Sequence, residues 1–90
     1  MKQTQLVIMD EVGLHARPAA LFCALAAKYK STIKIRNIST NSKTVNAKSI
    51  LSILTLGVKQ GHQVEINAEG EDELEAANAI QGLVENNFQE

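Results

Sequence analysis

Gly61-His62-Gln63-Val64-Glu65-Ile66-Asn67-Ala68-Glu69-Gly70 is the stretch on which the fold turns. Val64, Ile66 and Ala68 alternate with Glu65, Asn67 and Glu69, and a glycine stands at each end. A period of two belongs to a strand with one buried and one wet face. Thr32-Ile33-Lys34-Ile35-Arg36 repeats the pattern, with Ile33 and Ile35 on one side and Lys34 and Arg36 on the other. Half-polar strands indicate an antiparallel sheet, because parallel strands are buried on both faces and read as unbroken apolar runs. The apolar face must then be covered by helices.

Working outward, Asp72 followed by Glu75 matches an acidic capping box, which opens a last helix over 72–87. Leu74, Ala77, Leu83 and Val84 supply its apolar stripe. Upstream, Ala16 to Lys28 is rich in strong helix formers, and Ala19, Phe22, Cys23 and Ala26 recur at i, i+3, i+4, i+7. Pro18 falls in the first turn, where its missing N–H removes no helical bond. This helix therefore starts near His15 or Ala16. Residues 3–8 read as a strand, 37–42 as a polar turn and 43–46 as a short strand hairpinned to 32–36. Ser49 reads as the N-cap of a short helix carrying Ile50, Leu51 and Leu54, with Gly57 as its stop. The order is β-α-β-β-α-β-α, a two-layer α+β sandwich.

Ninety residues make one domain, 1–90, with one modest core. Net charge is −1 and the pI about 6.1, so there is no broad basic surface for nucleic acid or anionic lipid. Only Phe22, Tyr29 and Phe88 are aromatic, too few to make a base-stacking platform. Cys23 is the sole cysteine, so packing rather than a disulfide holds the fold, which suits a reducing cytoplasm. Met1 to Gln5 lacks the apolar stretch of a signal peptide, and no run is long enough to insert in a membrane. With two histidines and one cysteine there is no zinc-ligand spacing, and His62 reads as an exposed loop residue. Neither a metal nor a cofactor is expected.

Gly13-Leu14-His15-Ala16-Arg17-Pro18-Ala19 is the segment that carries chemistry. Gly13 permits close backbone approach just before His15. The mouth of the following helix has free N–H groups and partial positive charge, a ready anion site. Arg17 adds a permanent cation suited to phosphate oxygens. Imidazole is neutral in a useful fraction near pH 7 and can attack phosphorus. Nucleophile, N–H donors at Ala16 and Arg17, and cation thus lie within three residues, the equipment for a transient phosphohistidine.

This string resembles the active-site signature of the HPr family, the histidine-containing phosphocarriers of the phosphoenolpyruvate-dependent phosphotransferase system. The likeness extends through Asn46-Ala47-Lys48-Ser49-Ile50, then Thr55-Leu56-Gly57-Val58 and Gly61, and Ala68-Glu69-Gly70-Glu71-Asp72-Glu73. The resemblance implies a four-stranded antiparallel sheet of order 1-4-2-3 under three helices. It implies that His15 accepts the phosphoryl group through Nδ1, with Arg17 assisting. The implied partners are the system's first enzyme and its sugar-specific components, met by a cytoplasmic monomer with no turnover of its own.

Ser49 matches the family's regulatory site, which in many members a serine kinase phosphorylates and a phosphorylase clears; chemistry alone favours a plain helix cap there. Ala20 and Ala24 on the first helix, with Ile50, Leu51 and Leu54, form an expected apolar docking patch around His15. Three departures stand out. Val12 replaces a small polar residue, Ala24 and Ala27 replace basic ones found in some members, and 37–42 reads as a longer loop, expected to alter a turn and little else. The first two keep alternatives open: a nitrogen-related regulatory carrier, a donor to dihydroxyacetone kinase, or a co-regulator acting through Ser49. A small nucleic-acid binder is opposed by the charge balance.

Overall fold

The computed structural model describes residues 1–89. Its elements are β1 (Lys2–Val7), α1 (Ala16–Ala27), β2 (Thr32–Asn37), β3 (Val45–Asn46), α2 (Ile50–Leu54), β4 (Gln63–Glu69) and α3 (Glu73–Glu85). The four strands form one antiparallel sheet in the order β1-β4-β2-β3. The Gly61–Gly70 stretch is thus a central strand, paired with β1 from Lys2↔Ala68 to Val7↔Gln63 and with β2 from Thr32↔Glu69 to Asn37↔Val64. Both alternations resolve as read: Ile33, Ile35, Val64, Ile66 and Ala68 are buried. The three helices cover that face, and Ala19, Phe22, Ala26, Ile80 and Val84 complete the core.

Several boundaries and roles differ from the sequence reading. β3 is two residues long, and Lys43 and Thr44 are exposed outside it. Ile8 lies beyond β1 yet is fully buried, and its N–H donates to the His62 carbonyl at 3.0 Å. Leu74 is 56% exposed, and the buried stripe of α3 is Ala76, Ala77, Ile80 and Val84. The helical period explains this, since Leu74 sits about 200° around the axis from Ala76. Cys23 is only half-buried, and its thiol donates to the Lys48 carbonyl at 3.0 Å.

The expected Asp72–Glu75 capping box does not form. Asp72 is the N-cap residue but makes no side-chain cap bond. Its carboxylate instead accepts from the Lys30 N–H at 2.8 Å, the Ser31 N–H at 2.9 Å and the Ser31 hydroxyl. The Ser31 hydroxyl first, and the Lys30 N–H next, hold this carboxyl below its ordinary range. Glu73, rather than Glu75, reaches back to accept from the Gly70 N–H at 3.3 Å.

After α3 the chain turns through Asn87 and Phe88, both left-handed at φ 54° and 60°. The turn drives Phe88 fully into the core. Its N–H donates to the Leu83 carbonyl at 2.9 Å.

Candidate functional site

The site begins where β1 ends. The Val12 N–H donates to the Asp10 side chain at 3.0 Å and the Gly13 N–H to the Asp10 carbonyl at 2.9 Å, closing a tight turn. Gly13 has φ +70°, and a Cβ there would lie 2.1 Å from the Val58 carbonyl oxygen. Only glycine satisfies both conditions. The Leu14 N–H then donates to that same oxygen at 3.0 Å, and Leu14 is buried. These contacts set the entry angle of α1.

His15 follows as the N-cap of α1, with extended backbone at φ −92° and ψ −160°. Its carbonyl accepts the first helical bond, from the Ala19 N–H at 2.8 Å. Its side chain makes no cap bond and is exposed. Pro18 carries no N–H, so the orphan donors of the first turn are those of Ala16 and Arg17. No acidic residue stands in that turn. The structure thus brings together His15, Ala16 and Arg17 as the sequence indicated.

Arg17 has a partner that the sequence did not suggest. One of its terminal nitrogens, Nη2, donates to the Phe88 carbonyl at 3.1 Å. The turn after α3 therefore fixes the direction of the Arg17 side chain. This uses one of its five N–H donors.

Beside His15 lies a cleft of about 400 Å³, lined by Val12, Leu14, Leu54 and Val58 together with His15 and Lys59. Lys59 went unremarked in the sequence, because nothing local distinguishes it from other solvated lysines. Val12 is 63% exposed, so the residue that departs from the family pattern forms one wall of the cleft.

The expected docking residues are all accessible. Ala20 and Ala24 are exposed on α1, and Ile50, Leu51 and Leu54 on α2, with Leu51 at 74%. A five-residue helix turns only one side chain squarely inward, and here it is Ile53. Ala47 and Leu56 close the core at the two ends of α2, so Ile50, Leu51 and Leu54 stay accessible. Ser49 is the N-cap of α2, its hydroxyl accepting from the Ser52 N–H at 3.4 Å.

Two residues read as bland are not. Asn37, assigned to a turn, ends β2 and is fully buried. Its side-chain amide donates to the Leu56 carbonyl at 3.3 Å and to His62 Nδ1 at 3.1 Å. His62, expected exposed, is half-buried, and its Nδ1 also receives the Lys59 N–H at 3.1 Å. The 37–42 loop accordingly does more than alter a turn. Its Ser39 hydroxyl accepts from the Gln63 N–H at 2.9 Å and its Ser42 hydroxyl from the Asn37 N–H at 2.8 Å.

Among the described residues no group of three or more His, Cys, Asp or Glu could hold a metal ion. No helix among them is long and apolar enough to cross a membrane.

The family described as "PTS HPr component phosphorylation site" matches residues 2–86. The chain belongs to the HPr family. It is 45% identical over 85 residues to the phosphocarrier protein HPr of Mycoplasma pneumoniae, with 94% of each chain covered. It is similar to a crystal structure of HPr from Thermoanaerobacter tengcongensis at a TM-score of 0.93 and 48% identity, covering 100% of this chain and 98% of that one. It is also similar to the crystal structure of HPr from Bacillus anthracis, at 0.84 and 38%, covering 92% and 95%. As an HPr protein the chain is a phosphoryl carrier, moving phosphate from the phosphoenolpyruvate-dependent first enzyme toward sugar-transport components. It is a carrier and not an enzyme with turnover of its own.

Proposed function

We propose that His15 is the residue that carries the phosphoryl group, through Nδ1, and that Ala16 and Arg17 hold its oxygens. The observation that carries this reading is the start of α1, where an exposed imidazole that makes no cap bond precedes two orphan N–H groups and Arg17, with no acidic residue in the first turn. In the forward step the Nδ1 lone pair of neutral His15 attacks phosphorus. The P–N bond forms as the donor's bond to phosphorus breaks, and the electron pair of that bond leaves with the donor. Negative charge on the three non-bridging oxygens is met by the α1 N–H groups and Arg17, fixed in place before the phosphoryl group arrives. Delivery to a sugar-specific component is the reverse attack by that component's nucleophile.

Residues 1–90 act as one HPr-like domain and a monomer in a cytoplasmic setting. Partners dock on Ala20, Ala24, Ile50, Leu51 and Leu54 around the His15 cleft. Ser49, capping α2 beside that patch, serves as a second, regulatory phosphorylation site for a serine kinase. A phosphate there meets a helix N-terminus, which tolerates the charge.

The test is to incubate the protein with phosphoenolpyruvate and the system's first enzyme, measure acid-labile phosphate, and map it. Label on His15 is expected. Label on His62, or acid-stable label alone, overturns the assignment.

A further inference from the structure

His62 has no part in the chemistry just described, yet it is bonded more fully than His15. The Leu56 carbonyl can only accept, so the atom of Asn37 facing it is the amide nitrogen. The same NH2 group donates its other hydrogen to His62 Nδ1, and the Lys59 N–H donates to that nitrogen too. With two donors aimed at it, Nδ1 is a bare acceptor, and the ring proton sits on Nε2.

The Lys59 N–H belongs to the same peptide unit as the Val58 carbonyl. One peptide plane therefore has its N–H on His62 Nδ1 and its C=O on the Leu14 N–H, 3.0 Å away. Leu14 is the residue before His15. Gly13 lies against this same plane, so closely that no Cβ fits between them. The turn carrying the plane is fastened elsewhere as well. The His62 N–H donates to the Lys59 carbonyl at 3.0 Å, the Gly61 N–H to the Ile8 carbonyl at 2.7 Å, and the Gln60 side chain to the Met9 carbonyl at 3.1 Å. The N–H side of the 58–59 peptide is held by His62, whose imidazole is in turn bonded to the buried Asn37.

We propose that His62 is a positioning residue for phosphoryl transfer: through Asn37 and the 58–59 peptide plane it fixes Leu14, and hence the reach of His15. The role rests on His15 being the acceptor. Hydrogen bonds in series polarise one another, so the two bonds of the plane strengthen together and loosen together. Misplacing a reacting group by about 1 Å can slow a reaction by as much as ~100-fold, so partial loosening costs less than that. The effect falls on the transfer step rather than on binding the donor enzyme, because His62 lies outside the apolar docking patch.

The experiment compares His62→Ala and His62→Asn with wild type, with the first enzyme as donor. Asparagine places an oxygen acceptor close to where Nδ1 stands. His62→Ala should lower the first enzyme's kcat about 10-fold with its KM for this protein unchanged, and should speed hydrogen exchange at the Leu14 amide. His62→Asn should recover most of both. The 15N spectrum of wild type should show His62 protonated at Nε2 only. A folded His62→Ala with wild-type kcat overturns the role, as does a proton on Nδ1, or an Asn variant as impaired as the Ala variant. Should His62→Ala fail to fold, the Asn variant and the tautomer decide. Wild type that takes up no acid-labile phosphate refutes the His15 reading instead; an active wild type with an indifferent His62→Ala refutes only this one.

Discussion

The mouths of α1 and α3 face the same physical problem and meet it in opposite ways. Both have orphan N–H groups and a positive dipole end. α3 answers with acid: Asp72 at the cap, Glu73 and Glu75 in the first turn, and the Glu73 carboxylate on the Gly70 N–H. α1 has no acidic residue in its first turn; it carries His15 at the cap and Arg17 within that turn. A positive end given a further cation is poorly matched until an anion arrives. The difference teaches that α3 carries its complementary charge as part of the fold, whereas α1 leaves its donors free for the anion that the proposed function brings.

The comparison breaks most visibly at its nucleophile. His15→Ala should abolish acid-labile phosphorylation while leaving the melting temperature near wild type, because the side chain is exposed and makes no cap bond. Residual label taken up from phosphoenolpyruvate would mean that the α1 mouth is not the acceptor.

Arg17→Ala should slow transfer by roughly one to three orders of magnitude, ~1.4–4 kcal/mol in barrier. The Phe88 contact adds a folding term of about 1 kcal/mol, readable as a modest drop in melting temperature. A large drop with unchanged transfer would make the guanidinium a clamp for the C-terminal turn and nothing more.

Gly13→Ala attacks the geometry of the mouth rather than its charge. The left-handed backbone and the 2.1 Å approach to the Val58 oxygen together should cost roughly 2–4 kcal/mol in denaturant unfolding. A neutral result would show that the 58–59 plane is free to retreat.

Ser49→Asp tests a mouth that can be filled at will. The charge suits the α2 N-terminus, so stability should hold, but desolvating it beside Leu51 and Leu54 should raise the first enzyme's KM for this protein about tenfold with kcat unchanged. Unchanged KM would reduce Ser49 to a helix cap.

The smallest effect is expected at the mouth already filled. The Asp72 carboxyl titrates below its ordinary value of 3.8, so it stabilises the fold above that pH and the benefit is lost as pH falls through its lowered value. Melting temperatures of Asp72→Asn and wild type should therefore differ near neutrality and converge in acid below 3.8. A gap that persists there would assign the difference to the Ser31 and Lys30 hydrogen bonds of the protonated side chain.

The fold was legible because its signals are local. Alternation at 32–36 and 64–69 names both the strands and their wet face, and the Ala19-Phe22-Ala26 spacing names the buried side of α1. The placement of His15 at the cap of α1, with Ala16 and Arg17 in its first turn, was legible for the same reason, the three being neighbours in one turn. What escaped depends on partners far along the chain. Asn37 meets His62 across 25 residues, Arg17 meets Phe88 across 71, and Asp72 meets Ser31 across 41. Asparagine and histidine carry no periodic mark of burial, so nothing near them announces a polar pair inside. Leu74 misled in the other direction, an apolar residue facing water at a helix start where the stripe had not yet begun.

The position of β4 has a consequence for the order in which the molecule can be made. β1 and β2 are not neighbours; both pair with β4, and β4 is residues 63–69 of 90. A growing chain therefore exposes its histidine motif early and closes the sheet only once β4 has been made. The peptide that seats Leu14 comes more than forty residues behind it. Sheet pairing across such separations carries a large loop-closure entropy, so the geometry around Leu14 follows the arrival of β4 rather than of α1. Molecules whose synthesis has stopped before β4 thus display the histidine motif without the sheet and the 58–59 peptide that seat it.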